Sequence, residues 1–265
     1  MNRLRTYGHP PFDVAVIHGG PGAGGEMAPV ARELAPAWGI LEPIQTAATL
    51  DGQIEELRSV LLAHADPPVT LIGYSWGAWL SWMVAARHPA LVKKLILVSS
   101  GPFEAQYVAH LHATRMARLS AAERATFKRV IAALGDPATE DKDALLAQLG
   151  ALTAKSDSYD PLDDAHDAAD RIGPRGNLFQ AVWEEAARRR ESGKLLALAE
   201  HIQCPVTAIH GDDDPHPAAG VREPLTDALG DFSFVLLPKC GHTPWAERHA
   251  RAAFYQALRA TLREA

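Results

Sequence analysis

The 265-residue chain predicts an α/β fold, a mostly parallel sheet with helices on both faces. Short β-branched apolar runs alternate with longer stretches of helical periodicity, the pattern of strand–helix–strand crossovers. Several of those runs are continuously apolar, as strands buried on both faces are. The runs also stop at loops rich in glycine, serine or aspartate, which collect at the strands' carboxyl ends.

Val14-Ala15-Val16-Ile17 stops at His18-Gly19-Gly20-Pro21-Gly22 and reads as a buried strand followed by a loop. Met27 to Leu34 reads as a short helix, and Trp38 to Leu41 as a strand. Leu50 to His64 sets Ile54, Leu57, Leu61 and Leu62 against charges on the other face, an amphipathic helix that Pro67-Pro68 ends. Val69-Thr70-Leu71-Ile72 is the next strand, and Trp76 to Arg87 is a helix that closes at His88-Pro89. Leu95 to Val98 is a further strand, terminated by Ser99-Ser100-Gly101-Pro102.

From Phe103 to His201 alanine, charge and helical spacing dominate, with no strand pattern. Residues 103–201 are therefore expected as a helical cap inserted into a core made of 1–102 and 202–265. The alternation then resumes: Val206 to Ile209 a strand, Ala218 to Leu229 a helix, Phe232 to Leu237 a strand, Trp245 to Arg263 a closing helix.

Composition narrows the function classes. A net charge of −6 argues against nucleic acid or an anionic membrane as partner and leaves a small-molecule substrate. No apolar run approaches the roughly 20 residues of a membrane span, and the N-terminus has no signal-peptide core, so a cytoplasmic protein is expected. The two cysteines, Cys204 and Cys240, fall at opposite ends of their strands and should not pair.

Gly73-Tyr74-Ser75-Trp76-Gly77 matches G-x-S-x-G between an expected strand and an expected helix, the setting of a nucleophile elbow. A serine needs a base and an orienting acid, which for this elbow follow in the order acid, then histidine. The loop after Val206–Ile209 contains Asp212-Asp213-Asp214, of which Asp214, fixed before Pro215, is the expected acid and Asp212 the alternative. The loop after the last strand supplies His242 as base. Backbone N–H groups of Trp76 and Gly20 are the expected oxyanion hole. Tyr74, Phe103, Tyr107 and Trp183 are candidate substrate-pocket residues. The reading needs no cofactor and no metal.

With His18-Gly19-Gly20-Pro21-Gly22, Gly73-Tyr74-Ser75-Trp76-Gly77, Gly211-Asp212-Asp213-Asp214 and Gly241-His242 in this order, the chain resembles the α/β-hydrolase superfamily. His-Gly-Gly-Pro-Gly and the tryptophan after the serine look like its proline iminopeptidase branch, which carries glycine where this chain has Tyr74. The resemblance implies a serine hydrolase with a Ser75–Asp214–His242 triad. It also implies a trimmed N-terminal edge, since the family begins with an antiparallel pair for which this chain has little room. An ester or amide of a small acyl group is the first expected substrate, N-terminal proline release the second, and a slow or non-catalytic binding protein the third. An iminopeptidase binds a free amine through cap carboxylates. The ten acidic residues against two lysines between Asp136 and Asp170 could supply them, as could Glu184 and Glu185, although charged helical runs usually face water.

Overall fold

The computed structural model describes residues 3–162, 170–173 and 175–264. Its sheet has seven strands: β1 (Leu4–Tyr7), β2 (Val14–Ile17), β3 (Ile40–Pro43), β4 (Val69–Tyr74), β5 (Val92–Val98), β6 (Val206–Gly211) and β7 (Phe232–Leu237). They lie in the order β1-β3-β2-β4-β5-β6-β7, and all neighbours are parallel except β1 and β3. The helices are α1 (Ala28–Leu34), α2 (Leu50–His64), α3 (Trp76–Arg87), α4 (Val108–Arg118), α5 (Ala121–Gly135), α6 (Lys142–Ser156), α7 (Gly176–Glu191), α8 (Ala219–Ala228) and α9 (Arg251–Arg263).

The strands alternate between two cores, as the twofold period of a pleated strand requires. Ala15, Ile17, Leu71, Leu95, Leu97 and Ala208 face one way and pack beneath α2, α3 and α8. Val14, Val16, Ile72, Ile96, Val98 and Ile209 face the other way, under α1 and α9. Both faces are thus covered, which is why these strands read as continuous apolar runs. Helices α5 and α6 share a third, smaller core around Phe127, Val130, Leu134, Leu146 and Leu149.

Three elements depart from the sequence reading. β1 carries no apolar run; pairing with β3 in register Leu4↔Pro43 to Tyr7↔Ile40 makes it a strand, with the Tyr7 hydroxyl donating to Glu42 at 2.8 Å. The trimmed edge therefore keeps one antiparallel strand. β5 begins at Val92 and includes two lysines, because Lys93 pairs with Asp13 and Lys94 donates to the carbonyls of Thr261 and Glu264 at the end of α9. The closing helix does not run from Trp245: a short turn at Pro244–Ala246 precedes it, and α9 starts at Arg251. In the break, Glu247 is buried and accepts N–H bonds from Tyr159 (2.8 Å), Asp160 (2.8 Å) and Gly241 (3.1 Å).

Register aligns the strand ends on one rim. Ile17 lies opposite Gly73, Tyr74 opposite Val98, Val98 opposite Ile209, and Gly211 opposite Leu237. The loops that leave this rim carry Gly20, Ser75, Asp214 and His242.

Candidate active site

Ser75 occupies the turn between β4 and α3 with φ +52°, a conformation that a non-glycine residue adopts only when its surroundings enforce it. Its N–H bonds the Val98 carbonyl at 2.9 Å and its carbonyl accepts the Ala78 N–H at 3.1 Å. The flanking glycines make the turn possible. A Cβ on Gly73 would fall on the Gly77 carbonyl, and one on Gly77 on the Ile17 carbonyl, each far inside contact distance.

From β6, Asp214 reaches the same place with its side chain wholly buried. From the loop after β7, His242 sits between them, Nδ1 2.7 Å from Asp214 Oδ2 and Nε2 3.0 Å from Ser75 Oγ. An ionised carboxylate only accepts, so Nδ1 carries the proton and Nε2 presents its lone pair to the serine hydroxyl. Burial alone would raise the Asp214 carboxyl, but the His242, His216 and His210 imidazoles outweigh it and hold it well below the carboxylate range. Burial likewise opposes the His242 cation, yet the Asp214 charge and hydrogen bond, with Asp157, leave it above the usual imidazole value. A hydroxyl bonded to an oriented imidazole of this kind can be activated as a nucleophile.

The neighbouring aspartates have other work. Asp212 accepts the Cys240 N–H at 3.2 Å, and Asp213 pairs with Arg118 at 3.0 Å. Both cysteines are free thiols.

Trp76 begins α3 with its indole buried, and Nε1 finds no acceptor among the described residues. Gly20 lies in the loop after β2, in a turn closed by Ala23 N–H to its carbonyl (3.0 Å). His18 shapes that loop from inside: its buried ring donates from Nδ1 to the Gly19 carbonyl (2.7 Å) and accepts the Gln45 N–H at Nε2 (3.4 Å).

The proposed pocket residues separate. Tyr74 is 6% exposed and supports the histidine loop, with its ring 5.1 Å from His242 and 4.6 Å from Trp245 and its hydroxyl 3.0 Å from Thr243 Oγ1. Phe103 is fully buried edge-to-face on Trp82, and the Tyr107 hydroxyl bonds Glu223 beside a groove near 390 Å³ lined by Glu104, Leu196 and Asp227. The aromatic side chain of the first completes the core, and the hydroxyl of the second finds a surface acid. Trp183 stacks between Trp79 (5.7 Å) and Phe179 (6.0 Å), joining α7 to α3.

Three further residues contribute. Glu26, in the loop before α1, lies against Gly19 and the Tyr74 ring, its carboxyl raised by burial despite Arg171 and His242. The Asp157 carbonyl accepts the His242 N–H at 2.7 Å, while its side chain forms a buried pair with Arg115 (Nε to Oδ1 2.9 Å). His216, which follows Asp214-Pro215 in the chain and by sequence could reach the site or simply sit in the turn, hydrogen-bonds Asp214 Oδ1 at 2.9 Å and stacks on His242 with centroids 4.3 Å apart. Asp214, His216 and His242 have donor atoms within 4.8 Å of one another, close enough for a metal, but both imidazole Nδ1 atoms are committed to the Asp214 carboxylate.

The acidic run offers little to an amine. Asp157 pairs with Arg115, Asp160 with Arg248 and His249, and Asp170 with Arg32, while Asp141 caps α6 and Asp143 accepts the Gly176 N–H. Glu185 accepts the Leu50 N–H, and Glu184 accepts from Gln180. Asp163, Asp164 and Asp167 lie outside the described residues.

Comparison with known proteins agrees with this fold. A family profile described as alpha/beta hydrolase fold matches residues 21–248. A pimeloyl-[acyl-carrier protein] methyl ester esterase of Chromobacterium violaceum is 27% identical over 91% of each chain. One from Neisseria meningitidis serogroup B is 29% identical over 82% of this chain and 75% of its own. Among solved structures, VinJ superposes with a TM-score of 0.66 at 20% identity, covering 98% of this chain and 93% of that one. E-2-(acetamidomethylene)succinate hydrolase gives 0.65 at 17%, covering 98% and 94%. The expected likeness to proline iminopeptidases is not supported: these two sequence relatives are named as methyl ester esterases.

Proposed function

We propose that this chain, which belongs to the α/β-hydrolase family, is an ester hydrolase that works through an acyl-enzyme on Ser75, with His242 as base and Asp214 as the orienting acid. One observation carries the reading: the unbroken hydrogen-bonded path from Ser75 Oγ through His242 to the buried Asp214, set at a strained strand-to-helix turn.

In the first step Ser75 Oγ attacks the ester carbonyl carbon and its proton passes to His242 Nε2. The carbonyl oxygen becomes an oxyanion facing the N–H groups of Trp76, at the free N-terminus of α3, and of Gly20; one such donor is worth about 3–4 kcal/mol. As the tetrahedral adduct collapses, the C–O bond to the alcohol breaks and His242 returns the proton to the leaving alkoxide. Water, deprotonated by the same imidazole, then attacks the acyl carbon, and the acid leaves with Ser75 regenerated. Asp214 stays ionised throughout, stabilising the imidazolium.

Residues 103–201 are proposed as the cap that selects the acyl group. The two sequence relatives are named for a methyl ester of a carrier-linked acyl chain, and that substrate class is proposed here first. Its leaving group, methanol, is small and asks for no pocket of its own. Ser75→Ala should lower turnover of p-nitrophenyl acetate and of acyl methyl esters by roughly 10³-fold or more. Undiminished turnover, or failure of a fluorophosphonate to label Ser75 in the native protein, would remove the reading.

A further inference from the structure

His216 sits two residues after Asp214 and is 6% exposed. Its backbone N–H and its ring Nδ1 both lie 2.9 Å from Asp214 Oδ1, the oxygen that His242 does not use. Because the carboxylate can only accept, the ring proton sits on Nδ1. The His216 ring also lies nearly parallel to that of His242, 23° between planes. His210 braces the arrangement from β6: its Nε2 donates to the His216 carbonyl at 2.8 Å and lies 3.4 Å from Asp214 Oδ2.

We propose that His216 is a positioning residue for the hydrolysis: it holds the second oxygen of Asp214 and lies flat on His242, and so sets both the orientation and the basicity of the imidazole that faces Ser75.

The inference rests on the triad reading above and adds a reason for a histidine at this position. In each half-reaction His242 becomes a cation beside the stacked ring. A second cation at that distance would oppose it, so His216 must stay neutral. The groups that face it are Asp214, His242, His210, Arg115 from α4 and Asp157 beyond α6. Burial, with His242, pushes the His216 imidazole down to about 4 although Asp214 pulls the other way, which keeps it uncharged while His242 cycles. A neutral N–H donor on Oδ1 also spreads the carboxylate charge, which tempers the pull of Asp214 on the His242 proton.

Replacing the ring by an apolar one should therefore make Asp214 a stronger partner and the His242 cation more stable. In His216→Leu the acid limb of the kcat/KM–pH profile should rise by roughly 0.5–1 unit, whereas His216→Asn, which keeps an N–H donor, should restore most of the native limb. A limb that stays put in both variants, or that moves equally in both, overturns the proposal, as does a uniform loss of rate without a shift. Should His216→Leu fail to fold, nitrogen NMR on the native protein decides: a neutral ring protonated at Nδ1 from pH 5 to 9 supports the inference, and one that charges above pH 6 or carries its proton on Nε2 refutes it. Ser75→Ala separates the two levels, because activity surviving that change defeats the triad, while the His216 readouts can fail with Ser75 still essential.

Discussion

Ser75 is held in the left-handed region by hydrogen bonds from both sides and by the absence of two Cβ atoms, so the elbow is sensitive to the smallest possible substitution. Gly77→Ala would drive a methyl group into the Ile17 carbonyl and force α3 away from β2. An unfolding free energy lower by about 2 kcal/mol or more, measured in urea, and a fall in ester turnover are expected. The titrating groups predict a pH profile. His242 must be neutral to accept the serine proton, and its imidazole lies above 6.5, so kcat/KM should fall as the pH drops through a value above 6.5. Stability runs differently at the two residues. The raised His242 contributes stability below 6.5 that is lost as pH rises through its folded value, while the depressed Asp214 contributes above 3.8 and its share begins to disappear as pH falls below that. A melting-temperature profile would show both edges.

At the level of elements, β4, the turn and α3 are legible from the single run Val69 to Arg87, because glycine placement and apolar runs act locally. The last helix is not. Its apolar spacing continues from Trp245, yet the chain breaks at Glu247, whose buried carboxylate serves three backbone N–H groups in two segments. Together with Asp157, it ties the chain after α6 to the loop that carries His242. Glu247→Ala would leave those donors without their partner and should cost about 2–4 kcal/mol, read as a lowered denaturation midpoint with reduced turnover. Glu247→Gln should recover part of it, since the amide oxygen can still accept. Strand β1 escaped the sequence reading for a related reason: its pairing with β3, not its own composition, makes it a strand.

Across the whole molecule, the helices between β5 and β6 meet the sheet's carboxyl rim where the Asp157 carbonyl accepts the His242 N–H, and Arg115 from α4 holds the Asp157 side chain in a pair largely buried on both sides. Arg115→Met should strand the Asp157 charge and cost about 3–5 kcal/mol. Because the Asp157 carbonyl holds the His242 N–H, turnover should fall with it; equilibrium unfolding alongside steady-state kinetics would test both. Among the described residues, the acidic run is largely taken up by ion pairs and backbone N–H groups, a point that residue counts between Asp136 and Asp170 could not show. By itself the sequence determined the strand–helix alternation, the layered parallel sheet, the elbow at Ser75, and the order in which an acid and a histidine follow it. These depend on period and on turns a few residues long. Only the tertiary structure decided which neighbours complete the site: His216 stacked on His242, Glu26 against Gly19, and Asp157 and Glu247 bracing the histidine loop. Such partners meet across loops or from distant segments, where a single hydrogen bond or ring contact leaves no periodic trace in the chain.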